Sequence, residues 1–231
     1  MTQEDFKDKV VLITGAGRGL GGPIAEAFAA RGAIVAINDL TPVNLDVTLE
    51  SILSAGGLAK DYIFDVSKKI VTQTMIDLVL SDWGRIDILV NHSAVRPHAA
   101  LLTMDEWDWQ RTLDLNLTGP FLTIQRVGQV MRHQGGGVIV NLVAALRDSQ
   151  DWNGQAAFAA SQAGLIGLTR QAARELADDH VRLNAICLEQ FPELPSPEGL
   201  KPLVEQVLFL CGNASREITG QILDVAGNRQ L

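Results

Sequence analysis

The chain has 231 residues, 47% hydrophobic and 20% charged, which is enough apolar content to bury a core and too much for a disordered chain. Its 27 acidic residues outnumber 19 basic ones, for a net charge of −8, and no lysine–arginine block provides the basic stripe that nucleic-acid binding requires. The acidic opening MTQEDFKDKVVLITG reads as neither a secretion signal nor a membrane span, and Cys187 and Cys211 have no metal-ligand spacing, so the expectation is a reduced, cytoplasmic protein without a metal site.

In chain order, apolar runs of strand length alternate with stretches of helical period. KVVLIT (9–14) leads into GPIAEAFAARG (22–32) and then AIVAIND (33–39). DYIFDV (61–66) precedes the helical KKIVTQTMIDLVLSDWG (68–84) and DILVNHS (87–93). A long helical stretch (105–134) leads to GVIVNLV (137–143), then the helix NGQAAFAASQAGLIGLTRQAARELA (153–177) and the strand VRLNAICL (181–188). FPELPSPEGLKP (191–202) reads as a Pro-rich surface loop, LKPLVEQVLFLCG (200–212) as the last helix, and QILDV (221–225) as the closing strand. Short apolar strands alternating with helices describe βαβ units around a buried parallel sheet. The expected fold is one α/β domain over residues 1–231, a Rossmann-type doubly wound parallel sheet with helices on both faces.

TGAGRGLGG (14–22) lies between the first strand and the first helix. Gly15, Gly19 and Gly21 permit a tight turn and close approach of backbone to a pyrophosphate, and the helix N-terminus favours the anion. Asp39 ends the second strand, where a carboxylate accepts hydrogen bonds from an adenosine ribose diol and repels a 2′-phosphate. NAD is therefore favoured over NADP, although the guanidinium of Arg18 in the glycine loop is a competing phosphate partner.

From end to end the chain resembles the short-chain dehydrogenases/reductases. Thr14, Gly15, Gly19 and Gly21 match their T-G-x-x-x-G-x-G, with Arg18 and Leu20 inside the loop. Leu40 follows Asp39, and Asp65-Val66 resembles the pair that contacts adenine. NHSA (91–94) stands where the family usually has N-N-A-G; Asn91 is kept and the next three positions depart. Asn116 in LDLNLTG matches the family's helix-kinking asparagine, and NASREITGQILDVAGN (213–228) resembles the usual ending. The resemblance implies an NAD(P)-dependent oxidoreductase fold and assembly into dimers or tetramers through two long helices. The stripe of Phe158, Leu165, Leu168, Ala172 and Leu176, with small Ala159, Ala160, Ala163 and Gly164, lies on one of those helices; such a stripe is usually core and part of it must pack on the sheet, so the oligomer is implied mainly by the resemblance.

The family's chemistry uses a serine, a tyrosine and a lysine beside that asparagine, the tyrosine and lysine four residues apart on one helix face. The matching positions here are Ala145, Phe158 and Gln162, leaving Asn116 as the one matched catalytic member. Phe158 transfers no proton, and Gln162 can hydrogen-bond a ribose but carries no charge to stabilise a phenolate. The only tyrosine is Tyr62, in the third strand, and Ser149 falls several residues late. Leu188-Glu189 replaces the family's Pro-Gly near the nicotinamide, and the substrate-lid segment around 189–202 is shortened.

His92 and His98 are candidate substitute acids, weighed against simply filling space near the cofactor; Glu189 is a candidate base against an exposed loop acid; Cys187 is a candidate nucleophile against a core residue. The leading expectation is an NAD(H)-binding pseudoenzyme or non-catalytic subunit, as a homo-oligomer or beside an active homologue, touching neither nucleic acid nor membrane. The competing expectations are an active NAD-dependent oxidoreductase with a rearranged acid, and a sensor whose partner binding follows NAD occupancy. The expected cofactor contacts are Thr14, Gly15, Arg18, Gly19, Leu20, Gly21, Asp39, Leu40, Asp65, Val66, Asn91 and Gln162.

Overall fold

The computed structural model describes residues 6–145, 152–188 and 197–224, with backbone alone at 197–199. Seven strands form one sheet: β1 (Val10–Thr14), β2 (Ile34–Asp39), β3 (Leu58–Ile63), β4 (Ile88–Asn91), β5 (Gly137–Ala144), β6 (Val181–Leu188) and β7 (Ile222–Asp224). Their order is β3-β2-β1-β4-β5-β6-β7 and every pair is parallel. Helices α1 (Gly21–Ala29), α2 (Pro42–Ser54), α3 (Lys69–Trp83), α4 (Glu106–Leu113), α5 (Gly119–Gln134), α6 (Ala156–Glu175) and α7 (Pro197–Cys211) make the crossovers. Strand order reverses between β1 and β4, which opens a crevice at the carboxyl ends of the strands.

Alternation along β1 divides the core in two. Val11 and Ile13 pack toward α1, α2 and α7, with Ile24, Phe28, Leu45 and Leu208. Val10 and Leu12 face α3 and α5 on the other side, with Met75, Val79, Val127 and Met131.

Two expectations change, and the apolar stripe of α6 packs as such stripes usually do. The third strand begins at Leu58 rather than Asp61 and ends before Phe64, because it is an edge strand whose residues alternate between covered and exposed, so its apolar content understates it. Helix α7 begins at Pro197, so residues 197–202 are helical rather than loop; proline suits a first helical position, where no amide is needed. The stripe on α6 is core: Phe158, Leu165 and Ala172 are buried, and Leu168 and Leu176 pack against the core on the α3–α5 side of the sheet. Residues 189–196, Ser149 and Val225 lie outside the described residues.

A buried polar ladder crosses the centre. The Thr123 hydroxyl on α5 donates to Asn91 Oδ1 at 2.8 Å, Asn91 Nδ2 donates to Asn141 Oδ1 at 2.9 Å, and Asn141 Nδ2 donates to Thr169 Oγ1 on α6 at 2.9 Å. It ties the two central strands to the helices on one face. Further along, Arg182 on β6 donates to the carbonyls of Leu210, Gly212 and Ser215 and so holds the end of α7. Cys211 lies there too; burial pushes its thiol up to about 12, against the opposing effect of the Arg182 charge.

Asn141→Leu should therefore leave the Asn91 Nδ2 donor without its partner, an unsatisfied buried group costing about 1–3 kcal/mol, while the Thr169 hydroxyl keeps its bond to the Leu165 carbonyl. Urea denaturation should show a loss of roughly 1–3 kcal/mol. A change under about 0.5 kcal/mol, within the range of an ordinary surface substitution, would mean that the ladder is dispensable.

Candidate functional site

The first turn after β1 is built for close approach. Gly15 has φ +70°, and a Cβ there would stand 2.9 Å from the Ser93 backbone. A Cβ on Gly21 would stand 2.3 Å from the Gly15 carbonyl oxygen, so α1 can begin here only with glycine. No side chain caps the α1 N-terminus and its first turn holds no acid, which leaves its amides and dipole for an anion.

Asp39 closes the other side. Its Oδ2 accepts from the Gly17 N–H at 3.1 Å and its Oδ1 from the Leu40 N–H at 2.7 Å. The carboxylate is thereby fixed in orientation, with acceptor capacity remaining on each oxygen for a diol. Arg18 is exposed and turned toward α2, where the Asn44 amide oxygen accepts from its Nε at 2.6 Å. The Asp65 carboxylate accepts from the Ser67 amide and hydroxyl at 2.9 and 2.6 Å, fixing the turn after β3.

These turns surround a cavity of about 780 Å³. Of the residues expected at a cofactor, Gly15, Arg18, Gly19, Leu20, Asp39, Leu40, Asp65 and Val66 line it. Thr14 and Asn91 stand behind the lining: the Thr14 hydroxyl accepts from the backbone N–H groups of His92 and Ser93, and Asn91 belongs to the ladder. Gly21 serves as the close-packed start of α1. Sequence reasoning missed the outer wall, Lys68, Trp107, Gln110, Arg111, Asp114 and Leu115. The α4 members recur at three- and four-residue spacing around an exposed tryptophan, and that spacing was the available signal.

His92 is buried beneath the glycine loop, its Nδ1 at 3.0 Å from the Gly15 carbonyl oxygen. A carbonyl there requires the Nδ1–H tautomer. Burial holds its pKa below the ordinary imidazole value, against the opposing effects of the Gly15 hydrogen bond and the Asp39 charge.

Across the crevice, α4 passes through a π-helical turn, Asp114–Thr118, before α5. There Asn116 holds Val95 from both sides, accepting from its N–H and donating to its carbonyl, each at 2.8 Å. Its amide also donates to Ser161 Oγ on α6 at 3.2 Å. Next to Val95, the Arg96 guanidinium lies 5.4 Å from the Phe158 ring centre and 5.5 Å from that of Trp152, and its Nε donates to Gln155 Oε1. The two rings stack at 6.1 Å and 18°. The Ala99 N–H donates to the Gly154 carbonyl at 2.8 Å, pinning the two loops together beside exposed His98. Phe158 is 0% exposed.

Gln162, one turn on, is buried too. Its Oε1 accepts from the Ala144 N–H at 2.8 Å, and it is not among the cavity-lining residues. The Ala145 N–H donates to the Leu188 carbonyl at 2.9 Å, and its side chain packs with Val143, Leu165 and Cys187. Cys187 is thus a core side chain, whereas Glu189 lies outside the described residues.

The short chain dehydrogenase family model matches residues 9–191. The chain belongs to the short-chain dehydrogenase family. An uncharacterized oxidoreductase of Thermotoga maritima is 38% identical over 201 residues, spanning 87% of this chain and 77% of that one. The 3-oxoacyl-(acyl-carrier-protein) reductase FabG of the same organism is 33% identical over 241 residues, 96% and 98% of the two chains. Among solved structures, a short-chain type dehydrogenase/reductase from Mycobacterium marinum superposes with a TM-score of 0.88 at 28% identity and full coverage of both chains. NAD+-bound xylitol dehydrogenase superposes at 0.85 with 26% identity, covering 96% of this chain and 99% of that one. Short-chain dehydrogenases bind NAD(P), and among the described residues no helix is long and apolar enough to cross a membrane.

His92 yields a pH test. Its folded pKa is depressed, so below about 6.5 the unfolded chain takes up a proton that the native state refuses. The contribution is fully present above that pH and is lost as pH falls, with a slope approaching ~1.4 kcal/mol per unit. In urea titrations from pH 7.5 to 5.5, His92→Asn should keep a donor for Gly15 and flatten the decline seen in the unaltered protein. Parallel declines would remove His92 as the cause.

Proposed function

We propose that this protein binds NAD(H) without catalysing hydride transfer and acts as a non-catalytic subunit, in a homo-oligomer or beside an active relative. The observation that carries the reading is the pair one helical turn apart on α6: Phe158 sealed under Trp152 and Arg96, and Gln162 tied to the Ala144 amide. Neither supplies the proton transfer or the charge of a tyrosine–lysine pair, and general acid–base catalysis is worth roughly 10²–10⁴ in rate. Asn116, the one matched catalytic member, instead serves Val95 and Ser161.

The cofactor half supports nucleotide binding. The glycine loop and the uncapped α1 would hold the pyrophosphate, Asp39 the adenosine ribose, and Leu40, Asp65 and Val66 the adenine. The cofactor, when bound, supplies hydride chemistry; this chain's residues supply binding. Asp39 supports NAD over NADP, since a 2′-phosphate would face a fixed carboxylate, while Arg18, one residue from Gly17, moderates that preference. Gln162 stands on the nicotinamide side and has only its Nε2 to offer. Two buried cysteines outside any disulfide support a cytoplasmic setting, and the exposed small residues of α6, Ala160, Ala163 and Gly167, support close pairing with a second helix.

The names of the relatives support a second reading, an active NAD-dependent oxidoreductase with a displaced acid. His92 and His98 are the described candidate acids; the hydrogen bond of His92 to Gly15 speaks against the first, and the exposed position of His98 outside the cavity lining against the second.

Calorimetry should show NAD+ binding at micromolar to millimolar concentration, NADP+ more weakly, with no turnover on a panel of ketones and alcohols. Saturable turnover abolished by His92→Asn would favour the second reading instead. Ala145→Ser, Phe158→Tyr and Gln162→Lys combined should remain near background on an activated ketone, because a hydroxyl at 158 would still lie beneath Trp152 and Arg96. Robust turnover by that triple variant would show that the missing groups are the whole defect. Light scattering should give a dimer or tetramer, with Ala163→Arg shifting it toward monomer; an unshifted mass would place the interface elsewhere.

A further inference from the structure

Resting on the nucleotide-binding reading above, we infer that His92 supplies the counter-charge to the cofactor's pyrophosphate: the imidazole beneath the glycine loop takes up a proton when the nucleotide binds, so that affinity for NAD(H) rises as pH falls.

The ring lies against the glycine loop at two points. Its Nδ1 is 3.0 Å from the Gly15 carbonyl oxygen, and a Cβ built on Gly19 would stand 3.2 Å from its Cε1 and Nε2. Gly15 and Gly19 both have left-handed backbone, with φ +70° and +58°, the kind of bend that turns N–H groups toward an anion. His92 lines the same cavity as these two glycines. A charge on the buried ring therefore acts on the phosphates through the loop itself, without a direct contact.

The other cations of the cavity have partners elsewhere. Its charged lining among the described residues, His92 apart, is Arg18, Asp39, Asp65, Lys68, Arg111 and Asp114. Arg18 is turned toward α2 and held by Asn44; Lys68 lies 3.6 Å from Asp114; the Arg111 guanidinium lies 5.0 Å from the ring centre of Trp107. Asp39, by contrast, is fastened to the loop through the Gly17 N–H, so a pyrophosphate dianion arrives beside a fixed carboxylate. An imidazolium under Gly15 and Gly19 offsets both charges.

Burial keeps His92 neutral in the protein alone, and the Asp39 charge opposes this. A bound dianion adds to the Asp39 effect and favours the charged ring. Linkage is reciprocal: a ligand that raises the His92 pKa is held more tightly by the protonated protein. Nδ1 keeps its hydrogen on the Gly15 carbonyl, so the added proton goes to Nε2, the ring nitrogen beside Gly19. Asparagine, second in the N-N-A-G that NHSA replaces, could donate to Gly15 but could never carry this charge.

The test uses the full chain and NAD+, whose pyrophosphate does not itself titrate near neutral pH. Calorimetry at pH 6.5 in two buffers of different ionisation enthalpy should show net proton uptake on binding. Kd should tighten about four- to tenfold from pH 8 to pH 6, as one proton-linked group allows. The imidazole nitrogen-15 shifts of His92 should move toward those of the charged ring when NAD+ is added at pH 6.5. In His92→Asn both the uptake and the tightening should disappear. NAD+ binding with no proton uptake and unmoved His92 shifts would overturn the inference and leave the nucleotide-binding reading intact. Uptake that persists in His92→Asn would assign the proton to another group and overturn it as well. No binding of NAD+ at any pH would overturn both.

Discussion

Asn116 grips the backbone of Val95 by both its polar atoms, and the arrangement on the far side of the crevice follows from that grip. Asn116 projects from the π-helical turn between α4 and α5, which directs its amide at the loop after β4. With Val95 fixed, Arg96 is delivered over Phe158 and Trp152, and the loop carrying Ala99 is set against Gly154. The bond from Asn116 to Ser161 ties the same assembly to α6. Through these bonds Asn116 joins the loop after β4 to two helices.

Among the described residues, the two sides of the crevice differ in physical character. The β1–β4 side keeps oriented polar groups facing a cavity, with Asp39 and Asp65 each held by backbone amides. On the β5–β6 side the described residues pack as core. The substitutions there are consistent with one another: an ammonium at position 162, buried beside Ala144 and Ser161, would lose hydration worth several kcal/mol with no phenolate in return. A neutral amide fills the same space and satisfies the Ala144 donor. Ala145 packs against Leu165 without an unsatisfied hydroxyl.

The strand pattern, the glycine turn and the acid after β2 were legible because each follows from local chemistry: β6 spans residues 181–188 in both sequence and structure, and eight of the twelve expected cofactor residues line the cavity. Asn116 was placed correctly in the chain, but its grip on Val95 depends on a loop 21 residues away and could not be read from spacing. Edge strand β3 was misplaced because half-exposed positions lack the apolar run that marks a central strand. The role of Arg96 was invisible for a related reason. An arginine in a Pro-containing loop reads as solvated surface until tertiary structure sets it against two rings from another segment. Helical period on α6 marked a buried face, yet could not say whether the sheet or another chain covered it.

Arg182 and Cys211 have a consequence of a different kind. The guanidinium fastens the end of α7 to β6, and the thiol beside it is held protonated by burial, so it is inert as long as that junction is closed. Its reaction with an alkylating reagent must wait for α7 to lift from the sheet. The rate of that labelling is therefore an intrinsic clock for one local opening, separate from global unfolding, and it times the mobility of the C-terminal third from within.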